Sequence, residues 1–275
     1  LKASQNVRRS TAAAEPVAPW FGGKKHLSTR IITRIEATPH TCYGEPFCGM
    51  GGVFLRRTSK PKSEILNDAN SEIVNLFRVM RDHGAELARQ FDLCIASRAE
   101  YARLLATPPE TLTDIRRAAR FAYIQRLSFG GKPAHLATPG QMAPCVHHPS
   151  RLTSTRMARL IMAAHERLQD VHIECLDWAA FIARYDRKFT LFYLDAPYMN
   201  HEADYGRGLF ERQDFAEMAD MLRNLKGRFI LSLNDTPEVR DLFAWANIEA
   251  VETRYSVNAK STRRAAEVLI SGGGA

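Results

Sequence analysis

The stretch Phe192-Tyr193-Leu194-Asp195-Ala196-Pro197-Tyr198 decides the fold. Residues 191–194 form a short apolar run of the kind that is buried on both faces in a parallel sheet. The run ends in a carboxylate, a proline turn and an aromatic ring. In an open α/β sheet, ligands gather at the carboxyl ends of the strands. A carboxylate and a turn carbonyl can accept the two hydrogens of an amino group on a flat heterocycle while a ring covers its face, and adenine has that shape. The same residues also suit a helix cap followed by a half-buried core aromatic, so the neighbouring segments must separate the two readings.

Upstream, residues 43–55 read Tyr43-Gly44-Glu45-Pro46-Phe47-Cys48-Gly49-Met50-Gly51-Gly52-Val53-Phe54-Leu55. A strand, a glycine-rich turn and an apolar helix start have the layout of a dinucleotide fold, in which glycines let the backbone approach a nucleotide-like ligand. The spacing is not G-x-G-x-x-G and no G-K-S/T follows, which excludes a P-loop. Residues 64–68 read as the next strand, and Asp68 stands where such folds place an acid to accept ribose hydroxyls. Taken alone, Asp68 would be the N-cap of a helix predicted over 69–81. Still earlier, Pro19-Trp20-Phe21-Gly22-Gly23-Lys24 puts a glycine pair and a lysine before a helix over 28–36. A plain turn accounts for that segment almost as well.

Residues 171–177 form another short strand ending in an acid, followed by Trp178 and a helix to 185. Asp177 either holds an amino group or caps that helix. After 195–198 come a polar loop over 199–208 with His201, Asp204 and Tyr205, a helix over 214–225 and a strand over 229–233. Asn234-Asp235-Thr236-Pro237 opens a helix to 245 with an N-cap and a first-turn proline. Strands over 248–257 and 265–270, joined by a basic loop, predict an antiparallel edge hairpin. Residues 75–170 differ in being helix-rich and basic. Arg116, Arg117, Arg120 and Arg126 lie on or near one predicted helix, and Arg151, Arg156, Arg159 and Arg167 on another. Most of these read as solvated faces. The stretch 129–149 between them, with four prolines and three histidines, is a loop too long to be a plain connection.

With 275 residues and 45% hydrophobic content, the chain can bury a sizeable core as one large domain or one domain with an insertion. Disorder throughout is excluded. Residues 1–18 carry no apolar period and read as a mobile arm. The chain starts at Leu1, which we read as a trimmed end. No apolar run is long enough to cross a bilayer and no signal-peptide core is visible, which predicts a soluble, cytoplasmic protein without a membrane partner. The five cysteines lack C-x-x-C or zinc spacing and are expected to be reduced thiols, with no disulfide and no metal. A net charge of +8 and a pI near 9.4 favour a polyanionic partner.

In this order the segments resemble the Dam-like, D12 class of DNA adenine N6-methyltransferases, and the resemblance covers nearly everything after residue 18. It implies an α/β, Rossmann-like methyltransferase sheet with a helix-rich insert, and S-adenosylmethionine as cofactor. It places Trp20, Gly23 and Lys24 against that cofactor, together with Glu45, Pro46, Phe47, Gly49 and Gly51. Asp68 takes the ribose, and Asp177 with Trp178 the cofactor's adenine. The family's D-P-P-Y, which holds the target base, is matched by Asp195, Ala196, Pro197 and Tyr198, with alanine in place of the first proline. The cofactor-binding catalytic domain is then 19–74 with 171–275, and residues 75–170 are the target-recognition insert for double-stranded DNA. Arg126, Lys132 and His135 are its expected DNA contacts, on a monomer. The implied reaction is direct methyl transfer without a metal. Two rivals stand beside it: a related enzyme acting on RNA or a protein amide, and a homologue silenced by Ala196 that only binds DNA or the cofactor.

Overall fold

The computed structural model describes residues 8–131, 141–142, 149–200, 210–258 and 261–274, with the side chains of 252–265 set aside. One seven-stranded sheet organises them. In chain order its strands are β2 (Cys42–Glu45), β4 (Ser63–Asn67), β5 (Val171–Glu174), β6 (Thr190–Leu194), β7 (Arg228–Asn234), β8 (Asn247–Asn258) and β9 (Ser261–Gly273), and they lie in the order β5-β4-β2-β6-β7-β9-β8. The first five pair in parallel, and β9 runs antiparallel to both β7 and β8. The edge hairpin predicted from sequence is therefore present, with its second strand tucked inside the first. All five residues of β6 are buried, as a strand covered on both faces requires.

Helices α1 (Ser28–Ala37), α2 (Ser71–Asp82), α7 (Trp178–Tyr185), α8 (Arg212–Arg223) and α9 (Pro237–Leu242) alternate with the strands. Each of α2, α7 and α9 starts at a side-chain cap: Asn70, Asp177 and Thr236 accept first-turn N–H groups, which satisfies donors that a helix start leaves open. The helical insert consists of α3 (Gly84–Arg89), α4 (Arg98–Ala106), α5 (Asp114–Leu127) and α6 (Ser154–Leu168). Its buried residues, Leu87, Phe121, Ile124 and Ile161 among them, belong to the same apolar cluster as Leu66 and Leu76. The insert thus shares the core of the sheet's flank.

Three expectations change. The glycine turn after β2 does not open an α-helix: it passes through a short 3-10 turn, Phe54–Arg56, and returns to the strand β3 (Ser59–Lys60). Residues 8–18 are no mobile arm. The strand β1 (Arg9–Ser10) pairs with β3, and Ala14, Val17 and Ala18 are buried. Small apolar residues without a period can fill a groove, and no periodic signal announces it. Residues 1–7 lie outside the described residues. Finally, most of the eight arginines singled out in the sequence are not buried, as expected, but Arg120, Arg126 and Arg167 are. Arg167 and Arg57 converge on Glu64, with N–O distances of 2.7 Å and 3.0 Å, and stack on the rings of Phe54 and Tyr43. Burying those charges is tolerable only because each guanidinium finds a carboxylate or carbonyl partner.

Candidate active site

The strand order reverses between β2 and β6, and a cavity of about 440 Å³ opens at the carboxyl ends of β2, β4 and β6. Such a reversal splays the connecting loops apart and leaves a crevice. Asn67, the last residue of β4, ties the ends of β2, β4 and β5 together. Its amide donates to the carbonyls of Pro46 and Leu176 at 2.9 Å and 3.0 Å and accepts from the Leu176 N–H at 2.8 Å.

The glycine turn forms one wall. Gly49 has φ of 49°, and a Cβ there would come within 2.9 Å of the Trp20 indole nitrogen. Only glycine allows both the turn and the close approach of that ring. The Gly49 N–H donates to one oxygen of Asp68 and the Asn70 N–H to the other, each at 2.9 Å. Burial nevertheless pushes the Asp68 carboxyl up to about 6, against the lowering effect of those two donors. Gly51, with φ of 68°, faces the core instead, where a Cβ would press on Phe77 and Leu55.

The second wall is aromatic. Phe47 and Trp178 lie nearly parallel with ring centroids 6.4 Å apart, and Phe210 meets Phe47 edge-on at 5.8 Å. A planar base fits against such a slot. Asp177 does not line it. Its Oδ1 accepts from the Ala179 and Ala180 N–H groups, so the cap reading describes it.

The third wall carries charge. Lys24 is sealed from solvent, donates to Asp195 at 2.7 Å and to the Gly22 carbonyl at 3.2 Å, and lies 4.0 Å from Glu267. Its ammonium stands 4.5 Å over the ring of Tyr198. Asp195 also accepts from the Ser232 hydroxyl at 3.1 Å. Burial raises the Asp195 carboxyl above its ordinary range, and the Lys24 charge opposes that rise. Glu45 is buried as well and is pushed up to about 8 by loss of water, although it accepts from the Tyr43 hydroxyl at 2.7 Å. Asn234 holds the chain beyond Tyr198, accepting from the Met199 N–H at 3.0 Å and donating to its carbonyl at 3.1 Å.

Of the residues singled out in the sequence, Trp20, Gly23, Lys24, Glu45, Pro46, Phe47, Gly49, Asp68, Trp178, Asp195 and Pro197 line this one cavity. Ala196 and Tyr198 are not on its lining: Ala196 is buried and Tyr198 lies under the Lys24 ammonium. Arg126 reaches the lining and is buried, 7% exposed, where an exposed side chain was expected. Its guanidinium donates to the carbonyls of Val17 and Arg151 at 3.0 Å and 2.9 Å. Lys132, His135, His201, Asp204 and Tyr205 lie outside the described residues. Sequence reasoning missed Asn67, Ser232, Asn234 and Phe210. Only the Asn-Asp pair ending the second strand and the isolated Phe210 after a polar loop gave any signal.

The comparisons agree in direction. The chain is 26% identical over 265 residues to a DNA adenine methylase of Salmonella typhi, covering 92% of each chain. It is 25% identical over 280 residues to the type II methyltransferase M1.LlaDCHI of Lactococcus lactis subsp. cremoris, covering 94% of each. It is also 22% identical to the type II methyltransferase M.CviBI of Paramecium bursaria Chlorella virus NC1A, covering 92% of this chain and 96% of that one. Residues 20–257 match the family model described as D12 class N6 adenine-specific DNA methyltransferase, and the chain belongs to that family.

Proposed function

We propose that the protein binds S-adenosylmethionine in this cavity and transfers its methyl group to the N6 of an adenine turned out of double-stranded DNA. The observation that carries the reading is the Asp195 carboxylate at the end of the central strand, fixed by buried Lys24 on the cavity wall. The donor set suits the cofactor. Phe47 and Trp178 offer a slot for its base, Asp68 keeps acceptor capacity for ribose hydroxyls, and Gly49 leaves room beside Trp20. When bound, S-adenosylmethionine supplies an electrophilic methyl group on a sulfonium.

The chain's own residues then have to make N6 nucleophilic. That lone pair is delocalised into the adenine ring. Asp195 and the carbonyl of Ala196 accept the two N6 hydrogens, which favours a pyramidal nitrogen with a localised lone pair, and the proton that N6 sheds on methylation passes to the Asp195 carboxylate. Positioning and electrostatics dominate such a step. Lys24 favours the ionised form of Asp195 against the effect of burial, and Ser232 and Asn234 fix the turn that presents it. Turning the base out costs a few kcal/mol, and stacking on Tyr198 offsets roughly 1 to 3 kcal/mol of that.

The helical insert, residues 75–170, is proposed to contact DNA through its basic surface. Its affinity should fall steeply with salt and its methylation should spread over many sequence contexts. The deciding experiment uses Asp195→Asn, which keeps the side-chain shape and an acceptor for Lys24. N6-methyladenine should vanish from DNA of cells expressing the variant while S-adenosylhomocysteine binding by calorimetry stays within a few-fold. Loss of both together would place Asp195 in cofactor binding rather than in the chemistry.

A further inference from the structure

The cavity has lining residues that neither the aromatic slot nor the Asp195 corner uses: Arg126, Arg151, Arg156 and Glu15. Arg126 stands in the last turn of α5, Arg151 in the segment before α6, and Arg156 in the first turn of that 15-residue helix. Arg126 is 7% exposed. Its Nε and Nη1 are held by two backbone carbonyls, which fixes the plane of the guanidinium and leaves Nη2 without a partner among the described residues. The guanidinium groups of Arg151 and Arg156 likewise have no partner among the described residues.

Buried Arg126 therefore shares the lining with Arg56, with exposed Arg151 and Arg156, and with exposed Glu15, the one carboxylate that offsets its charge. Burial, then Arg156 and Arg151, pull Arg126 down to about 10, so it remains protonated near neutrality and the repulsion is real. A fixed guanidinium with Nη2 open can give an oxyanion a charge-assisted hydrogen bond, and the exposed Arg151 and Arg156 can add theirs. The positive end of the α6 dipole adds to the same field.

We propose that Arg126, Arg151 and Arg156 form an oxyanion subsite of the cavity, built for a carboxylate or a phosphate group. The inference rests on the function proposed above, and that function offers two sources. One is the carboxylate at the amino-acid end of S-adenosylmethionine. The other is a backbone phosphate of the DNA strand whose base enters the cavity.

The test is the double variant Arg151→Gln/Arg156→Gln, which spares the buried Arg126 and its backbone bonds. Its binding of S-adenosylhomocysteine and of methylthioadenosine, which lacks the amino-acid end, is measured by calorimetry, and its DNA affinity is measured across salt concentrations. If the site takes the cofactor's carboxylate, S-adenosylhomocysteine weakens about tenfold and methylthioadenosine does not change. If it takes a DNA phosphate, S-adenosylhomocysteine is unaffected, while the slope of log affinity against log salt becomes shallower by about 1 to 2. Either result supports the subsite, and a variant unchanged in all three measurements overturns it. Wild-type protein that binds neither nucleoside would overturn the cofactor reading instead, with the salt slope still deciding the subsite.

Discussion

The Lys24 ammonium donates to the Asp195 carboxylate across 2.7 Å, with the lysine side chain 1% exposed. Burial alone drives Asp195 toward its neutral form, and Lys24 is the first opposing influence. Lys24→Met removes that influence, so the carboxyl should ionise only at a higher pH. If catalysis needs the carboxylate, activity disappears as pH falls through that value, and the acid limb of kcat/KM should move to higher pH. An acid limb that stays in place would mean that Lys24 does not set the charge of Asp195.

This pair also marks the limit of what the sequence discloses. The parallel strands, their terminal acids, the glycine turn and the edge hairpin are legible because each is a local pattern of apolar runs and turn residues. The burial of Ala14, Val17 and Ala18, the Lys24–Asp195 bond and the Asn67 knot are contacts between distant segments, and no local period encodes them. Asp177 taking the cap, one of its two sequence readings, and Arg126 being buried have a related reason. A side chain's first partner is often the nearest open backbone group, here two helix N–H groups for Asp177 and two carbonyls for Arg126.

Asp68 both anchors the glycine turn and faces the cavity. Asp68→Ala should weaken S-adenosylhomocysteine binding by about 1 to 3 kcal/mol, because ribose hydroxyls lose a charged acceptor and the Gly49 N–H loses its partner. With its carboxyl near 6, the wild-type protein should bind through the ionised form above that pH and lose about tenfold in affinity per pH unit below it. Calorimetry from pH 5 to 8 checks both. Affinity that is flat with pH and indifferent to the substitution would reduce Asp68 to a turn anchor.

Glu45 offers a test on stability. Its carboxyl moves from 4.5 to about 8 on folding because burial strips its water. Between those values the folded chain holds a proton that the unfolded chain has released. The stabilisation is therefore complete below pH 4.5 and lost as pH rises toward 8, with a slope of up to about 1.4 kcal/mol per pH unit. Glu45→Gln keeps an acceptor for the Tyr43 hydroxyl and removes the titration. Urea unfolding at pH 5.5 and 7.5 should show the variant gaining on wild type by roughly 2 kcal/mol at the higher pH. Parallel pH dependences would contradict the raised carboxyl.

Ala196 stands where the family's D-P-P-Y has its first proline, and the structure changes the expected effect of restoring it. The acceptor at this position is a backbone carbonyl, which alanine retains. From the sequence alone, Ala196→Pro should rigidify the turn, a gain of about 0.4 to 1 kcal/mol through chain entropy. If all of that reached the transition state, transfer would speed up roughly two- to fivefold. Ala196 is fully buried, however, packed in the apolar cluster with Phe192 and Met199. The proline ring adds two carbons to that space, and overpacking a filled core costs about 1 to 3 kcal/mol. The cost exceeds the gain, so Ala196→Pro should lower the melting temperature and leave turnover within about fivefold of wild type. Thermal unfolding and a single-turnover methylation assay on the same preparation measure both. A variant that is more stable and at least a hundredfold faster would show instead that Ala196 holds the wild-type site silent.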